Sequence, residues 1–418
     1  MKQLQYLNFY KVISNFATLV LAAFVPFMVY QAMAPGLGST VALILAFATY
    51  GGEILFRTVF DISFKRLYAK YPQIFLLIRV LPIIISSLSV FLISSSMPQY
   101  AFWLGVIMFD VFLGMSNSFK MLPMENIFNY SSTADNTGIE LGKTRFFEEV
   151  GEVAALVLGG ILLDSLPEWV IIVVAIIAYL GSVIPLLLYY FKEKKNPAFN
   201  QESVSNAIGA YKPIKMKNIE LATIRKRMTL GYGLLFALIL TIETLPTAMS
   251  LLMFVQGGAA HYAYAGYVFA LLWAGYGICS VIIAKIDEKK DITTLVSISA
   301  IITAALVCAV PFLGTVVWAV MLLSFLIGCF YAVISYFVLE RMLTKTRIAG
   351  VSNQAQFARI VGINTGQFVP AAVCLFGSVF PGFFITAVML IAYAVYAPIH
   401  EERSRKRLVN YLSNNKLY

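Results

Sequence analysis

Six carboxylates interrupt stretches of this chain that are otherwise apolar. Glu148, Glu149 and Glu152 stand in the run GKTRFFEEVGEVAALVLGG, residues 142–160, while Glu53, Asp110 and Glu243 stand in three further runs. An ionisable group in hydrocarbon is costly unless it is paired or hydrated, so each marks a candidate functional position. Low-dielectric surroundings favour the neutral form of a carboxyl group, and a second acid nearby favours it further. Such groups can load and release protons near neutral pH, which makes Asp110, Glu152, Glu243 and Glu53 the expected proton-coupling residues. A partnered structural acid is the alternative at each, and Glu53 has Arg57 one turn away. Glu148 and Glu149 read differently, as charges in the first turns of a helix, where the dipole favours anions and Arg145 lies three or four residues before them.

A second constellation lies near the C-terminal end. Ser352, Asn353, Gln356, Arg359, Asn364 and Gln367 share one face of a helical pattern, a dense polar run for such an apolar segment. A guanidinium binds carboxylate or phosphate bidentately, so Arg359 among these amides suits recognition of a polar or anionic group. The same side chains could instead zip the helix to its neighbours. Asn15, Trp273, Tyr331 and Tyr336 are further candidate substrate contacts. No phosphate loop of the Gly-x-x-x-x-Gly-Lys-Ser/Thr kind occurs, and no nucleophile-with-base signature, so neither direct ATP use nor enzymatic catalysis is expected. His261 and His400 are too few and too far apart for a metal site. No cofactor is expected beyond protons or another ion as the coupling species.

The elements that position these residues follow from composition. Of 418 residues 60% are hydrophobic and 12% charged, against about a quarter charged in a soluble domain. A bilayer-spanning helix needs about 20 mostly apolar residues, and twelve such runs are legible: 9–32, 41–61, 73–96, 101–123, 143–164, 168–191, 229–254, 263–285, 292–313, 315–339, 348–376 and 381–399. The expected fold is therefore an all-α polytopic membrane protein. Alternate loops, with the connection 192–228 and the tail 401–418, hold the basic residues, so both termini and the central connection are expected on the cytoplasmic side. This also accounts for the net charge of +10 without nucleic acid as a partner. The expected partners are a small-molecule solute and the lipid bilayer, and the expected oligomeric state is a monomer. Short outer loops without an Asn-x-Ser/Thr site suit a bacterial inner membrane. The first apolar run is long enough to anchor itself and shows no cleavage site. The four cysteines, all in predicted spans, read as packing residues.

The chain repeats itself. Tyr50-Gly51 precedes Asp61 by the interval that separates Tyr276-Gly277 from Asp287, and each Asp leads into a basic pair, Lys65-Arg66 and Lys289-Lys290. Met28-Val29-Tyr30-Gln31 is matched by Met253-Phe254-Val255-Gln256. Glu125 precedes Arg145 much as Glu340 precedes Arg359. The offsets lie between 214 and 226 residues, which predicts two pseudo-symmetric six-helix bundles, 1–191 and 229–400, with a solute site between them.

On these features the chain resembles the major facilitator superfamily. Residues Arg57-Thr-Val-Phe-Asp61-Ile-Ser-Phe-Lys65-Arg66 are similar to the motif that family carries between its second and third helices. Gly151-Glu-Val-Ala-Ala155-Leu156-Val-Leu-Gly159-Gly160 matches three of the four glycines of its antiporter motif, and Glu340 with Arg347 and Gly350 resembles its pattern between helices ten and eleven. The resemblance implies alternating access and a cytoplasmic gate at Asp61, Asp287, Glu340 and Arg347, to which Arg66, Glu125 and Arg145 are added. It also implies that the first, fourth, seventh and tenth helices line a cavity, giving Asp110 and Glu243 a wet face. Along the fifth span Arg145, Glu148, Glu149 and Glu152 fall in one sector of about 100°, and Gly151, Ala155 and Gly159 form a small-residue stripe beside them. The expected function is secondary active transport of a polar or charged small molecule, coupled to protons. An exporter or flippase of amphipathic compounds is one alternative, and a non-transporting receptor or assembly protein is another.

Overall fold

A computed structural model describes residues 2–93, 97–131, 137–194, 219–256, 261–287, 292–313, 316–348 and 378–414, together with Gly362, Gly366 and Ala372; for some residues, mostly near helix ends, only the backbone is described. Long apolar runs uninterrupted by turn residues can satisfy their backbone groups in hydrocarbon only as helices, and that is how they fold. In chain order these are α1 (Lys2–Ala22), α2 (Val25–Leu37), α3 (Ser39–Lys70), α4 (Pro72–Ile78), α5 (Val80–Ser89), α6 (Gln99–Ser131), α7 (Thr137–Ser165), α8 (Glu168–Lys194), α9 (Ile219–Leu240), α10 (Leu245–Gln256), α11 (Tyr262–Asp287), α12 (Thr293–Leu313), α13 (Val317–Ile348) and α14 (Phe380–Asn414). Ten segments among the described residues are long and apolar enough to cross a membrane. The predicted fifth span is also helical, as α7, but Glu148, Glu149 and Glu152 break up its apolar run. The predicted eleventh span, 348–376, lies almost wholly outside the described residues.

Three predicted spans are broken rather than continuous. The first divides at Ala23 and Phe24, just before Pro26 at the start of α2, because proline cannot supply the amide that would continue the ladder. The seventh divides at a 3-10 turn, Thr241–Thr244, just before Pro246 in α10. The two prolines are 220 residues apart, inside the range of offsets shown by the repeat. The third span divides at Arg79, between α4 and α5. The predicted loop after the first span contracts to Gly38, whose φ of +81° is open to glycine and strained for other residues.

The exterior is apolar. Leu55, Val59, Ile62, Ile107, Ile177, Ile184, Leu230, Ile301, Val388 and Ile391 all point outward and are well exposed, which for a water-soluble surface would be a large aggregation patch and for a bilayer is the expected outer face. Inside, α1 packs along α7 and α8, α3 along α6, α11 along α7 and α13, and α12 along α14. The small-residue stripe predicted on α7 meets α1: a methyl group at Gly151 would stand 2.2 Å from the Val12 carbonyl oxygen, so only glycine permits this approach. Ala155, on the same stripe, is fully buried.

α7 and α11 touch over most of their length. Gly142 meets Ser280 and Ala284 near one end, Glu149 meets Gly277 in the middle, and Gly160 meets Tyr262 and Ala263 at the other end. There the Asp164 carboxylate accepts the amides of Tyr262 and Ala263 at 2.8 and 2.9 Å, satisfying donors that the start of α11 would otherwise leave open. Among the described residues this pair is the main contact between helices preceding residue 195 and those following residue 218.

Candidate functional site

A cavity of about 270 Å³ opens between α1, α2, α3, α6 and α7 on one side and α9, α10, α11 and α13 on the other. Both helix breaks reach it: Ala22, Ala23 and Pro26 line it from the first, and Leu240, Glu243 and Thr247 from the second. Irregular backbone at membrane depth is tolerated where it faces such a cavity.

The wall formed by α1, α6 and α7 carries a dense charge cluster. Glu148 receives Lys11 at 3.4 Å, Lys120 at 3.4 Å and Arg145 at 3.2 Å. Asn15 donates through Nδ2 to Glu152 Oε1 at 2.9 Å, and Lys120 in turn donates to Asn15 Oδ1. Asn15 therefore bridges the two glutamates, and its amide orientation is fixed by having a cation on its oxygen and a carboxylate on its nitrogen. Three cations on one carboxylate offset the desolvation that burial would otherwise impose on each.

Beneath this wall Arg79 is fully buried. Its guanidinium donates to Ser116 Oγ at 2.9 Å and Ser116 O at 3.0 Å, to Ser14 Oγ at 2.9 Å, to Tyr10 at 3.4 Å and to Thr18 Oγ1 at 2.9 Å. It also lies 5.3 Å from the centre of the Tyr179 ring. Arg79 thus ties α1 to α6 from the break in the third span, and Thr18 carries that tie to the cavity surface.

The opposite wall is aromatic. Trp273 and Tyr276 project from one face of α11, three residues apart, with ring centres 5.7 Å apart and planes at 88°. Tyr331 from α13 stands 5.1 Å from Tyr276 and 6.5 Å from Trp273. Tyr276 bonds Ser335 at 3.1 Å, and Tyr331 donates to Glu243 Oε1 at 3.4 Å. Tyr50 on α3 donates to the Glu243 carbonyl oxygen at 3.3 Å, so the second helix break is held from both sides of the cavity. Glu53, also lining the cavity, accepts Asn117 Nδ2 at 3.0 Å.

Of the sequence-expected coupling residues, Glu53, Glu152 and Glu243 line this cavity and Asp110 does not. Asp110 is buried against α3, where its carboxylate lies so close to Gly52 that a methyl there would stand 2.3 Å from Oδ2. The wet face expected for Asp110 is therefore corrected: the side chain turns into the α3–α6 contact. Glu148 and Glu149 also differ from expectation. The helix starts at Thr137, not Lys143, which places them about three turns in and on the cavity wall instead of at a helix end.

Among the expected substrate contacts Asn15, Trp273 and Tyr331 line the cavity, whereas Tyr336 is buried with its hydroxyl against Gly138 on α7. Gln356, Arg359, Asn364 and Gln367 lie outside the described residues. The expected gate residues divide four ways. Arg145 is a cavity residue paired with Glu148, which corrects its assignment to the gate. Asp61 is buried and accepts Ser118 Oγ at 2.6 Å, and Tyr68 shares that hydroxyl, so these contacts tie α3 to α6. Glu340 accepts Arg341 at 2.7 Å, and Arg341 stands 3.8 Å from Glu401. The side chains of Arg66, Glu125, Asp287 and Arg347 lie outside the described residues.

Lys120, Arg79, Tyr50 and Asn117 were not foreseen. Lys120 and Arg79 are basic residues inside predicted spans, as conspicuous as the carboxylates and open to the same reasoning. Tyr50 and Asn117 carry no signal that separates them from ordinary packing residues. Among the described residues no group of three His, Cys, Asp or Glu side chains could hold a metal ion.

No family model and no curated protein matches this sequence. Solved structures do. A bacterial homologue of the iron transporter ferroportin, in an outward-facing state, superposes with a TM-score of 0.59 at 14% identity, covering 97% of this chain and 100% of that one. The E. coli fucose:proton symporter superposes with a TM-score of 0.55 at 14% identity, covering 96% of this chain and 98% of that one. Both are major facilitator transporters, and the chain has the fold of that superfamily.

Proposed function

We propose that this protein is a secondary active transporter that moves a polar or charged small molecule across the membrane by alternating access, coupled to protons. The observation that carries this reading is the cavity between the two sets of helices, with five carboxylates in its lining and a broken helix entering it from each side. Broken helices place backbone dipoles and unpaired carbonyls beside a solute, and they bend when the two sides rock. The likeness to two transporters of this fold supports the same reading, and the symporter among them is named for proton coupling.

In this reading twelve spans form two six-helix bundles, with both termini cytoplasmic and the protein in a bacterial inner membrane. Glu152 and Glu243 are the coupling carboxylates: they lie on opposite walls, each held by a neutral donor, Asn15 or Tyr331, that can stay in place when the carboxyl group takes up a proton. Rocking would separate Tyr50 from Glu243 and change the solvation of both acids.

A second reading, an exporter of amphipathic compounds, is favoured by the apolar share of the lining, in which Leu19, Pro26, Leu113, Leu156 and Phe269 take part. A panel of amino acids, sugars, organic anions, organic cations, nucleosides and lipids, scored by thermal stabilisation of the purified protein, identifies the solute for transport. Uptake of that solute into proteoliposomes driven by an inward proton gradient is the expected result. Uptake unchanged when every ion gradient is collapsed would sink the coupling, and outward movement down an opposing gradient would favour the exporter.

A further inference from the structure

We propose that the cavity takes a small organic cation, its ammonium group seated against the aromatic wall of Trp273, Tyr276 and Tyr331 and beside the carboxylate of Glu149. The inference names the solute class for the transport reading and rests on it.

Three observations converge. The first is shape. Trp273 and Tyr276 form a right-angled corner, their planes at 88°, and Tyr331 packs on Tyr276 at 5.1 Å with its plane 33° away, extending the aromatic wall. All three rings line the cavity. A cation within about 6 Å of such ring centres is attracted by their quadrupoles, most strongly when it is desolvated, and quaternary ammonium groups are recognised in this way.

The second is charge. The lining holds the carboxylates Glu53, Glu148, Glu149, Glu152 and Glu243 against the cations Arg57, Lys120 and Arg145, and Lys11 pairs with Glu148 from outside the lining, an excess of one carboxylate (5 − 4). Two of the three basic side chains in the lining are poorly placed to receive an anion, since Lys120 and Arg145 are both committed to Glu148. A cationic solute offsets the excess, whereas an anionic one adds to it.

The third is an unmet group. Glu149 is 4% exposed and lines the cavity, yet it has neither an ion pair nor a hydrogen bond among the described residues, and its Oε2 is fully buried. Its side chain packs against Gly277, the residue after Tyr276. Burial without a partner disfavours the ionised form of a carboxyl group, and an ammonium group against the aromatic wall supplies a counter-charge that the chain does not. Glu148, one residue earlier on the same helix, already has three.

The test is isothermal titration of the purified full-length protein in detergent with tetramethylammonium, choline and tetrabutylammonium, a series graded in size. A matched titration uses the uncharged isostere of choline in which a quaternary carbon replaces nitrogen. Saturable binding of at least one cation is expected, with the isostere weaker by about tenfold or more. Glu149→Gln and Trp273→Leu should each weaken cation binding by about tenfold, with melting curves showing that both variants are folded. Equal affinity for choline and its isostere, no saturable binding across the series, or full affinity in both variants would overturn the proposal. If neither variant folds, the choline–isostere pair in the unaltered protein decides alone. Cation binding without gradient-driven movement would sink the transport reading and leave this site, and movement of an uncharged solute without cation binding would do the reverse.

Discussion

Glu148 and Glu149 are adjacent on one helix and live in opposite circumstances. Glu148 faces α1 and α6 and is held by Lys11, Lys120 and Arg145, while Glu149 faces α11 and has no ion pair among the described residues. A helix turns neighbouring side chains about 100° apart, so a single residue step separates a wall whose charges are matched internally from one that waits for a partner. The first wall reads as scaffold, since breaking it leaves buried charge uncompensated. The second reads as receptor, since its imbalance is relieved only by something that enters. The two broken helices repeat the contrast: Pro26 follows an apolar break, whereas Pro246 follows one that carries Glu243.

The largest effect is expected from breaking the matched wall. Glu148→Gln leaves Lys11, Lys120 and Arg145 close together with no anion among them. The loss of stability should be about 3–5 kcal/mol, the range for stripping one partner from a buried pair, read as a fall in melting temperature and in the denaturant midpoint. An unchanged melting temperature would mean that the cluster is not a scaffold.

Next in size is a steric test of what positions that wall. A methyl group at Gly151 must displace α1 from α7, because the Val12 carbonyl oxygen stands 2.2 Å from where it would sit. Gly151→Ala should cost about 1–3 kcal/mol, typical of overpacking, and should disturb the Asn15–Glu152 bond. Gly181 has nothing within 4 Å of an added methyl group, so Gly181→Ala should be neutral or stabilising by the same measurement. Equal effects at both glycines would show that the α1–α7 approach is looser than described.

A smaller change, zero or of opposite sign, is expected at the other acid. Glu149→Gln removes a buried ionisable group that has no ion pair among the described residues and keeps its volume, so the solute-free protein should be unchanged or gain up to about 1 kcal/mol. A loss as large as that of Glu148→Gln would erase the distinction between the walls.

Much of this was legible in the sequence, because hydrocarbon punishes the same features wherever they occur. Apolar length marked the spans, and acids within them marked the cavity, so Glu53, Glu152 and Glu243 were found from a single principle. Asp110 obeyed that principle and misled, since sequence gives depth but not the direction in which α6 turns it. Glu148 and Glu149 were misjudged because residues 137–142 are too polar to read as a span and still continue the helix. Arg79 and Lys120 were missed for a plainer reason: attention to acids left basic residues to the loops. The aromatic wall needs α13 beside α11, a tertiary contact that no local pattern reveals.

The finest discrimination lies within the aromatic wall, at Tyr331, whose ring and hydroxyl have separable tasks. The hydroxyl donates to Glu243 and the ring packs on Tyr276. Tyr331→Phe deletes one hydrogen bond at 3.4 Å and should cost about 0.5–1.5 kcal/mol of stability. Choline affinity should change little, because the ring remains. Its effect should appear instead in a displaced pH profile of uptake, since a coupling carboxylate has lost a hydrogen-bond donor. Tyr331→Leu removes the ring as well and should weaken choline binding by about tenfold. If Phe and Leu behave alike in binding, the ring contributes nothing to recognition, and the aromatic wall becomes packing around Glu243.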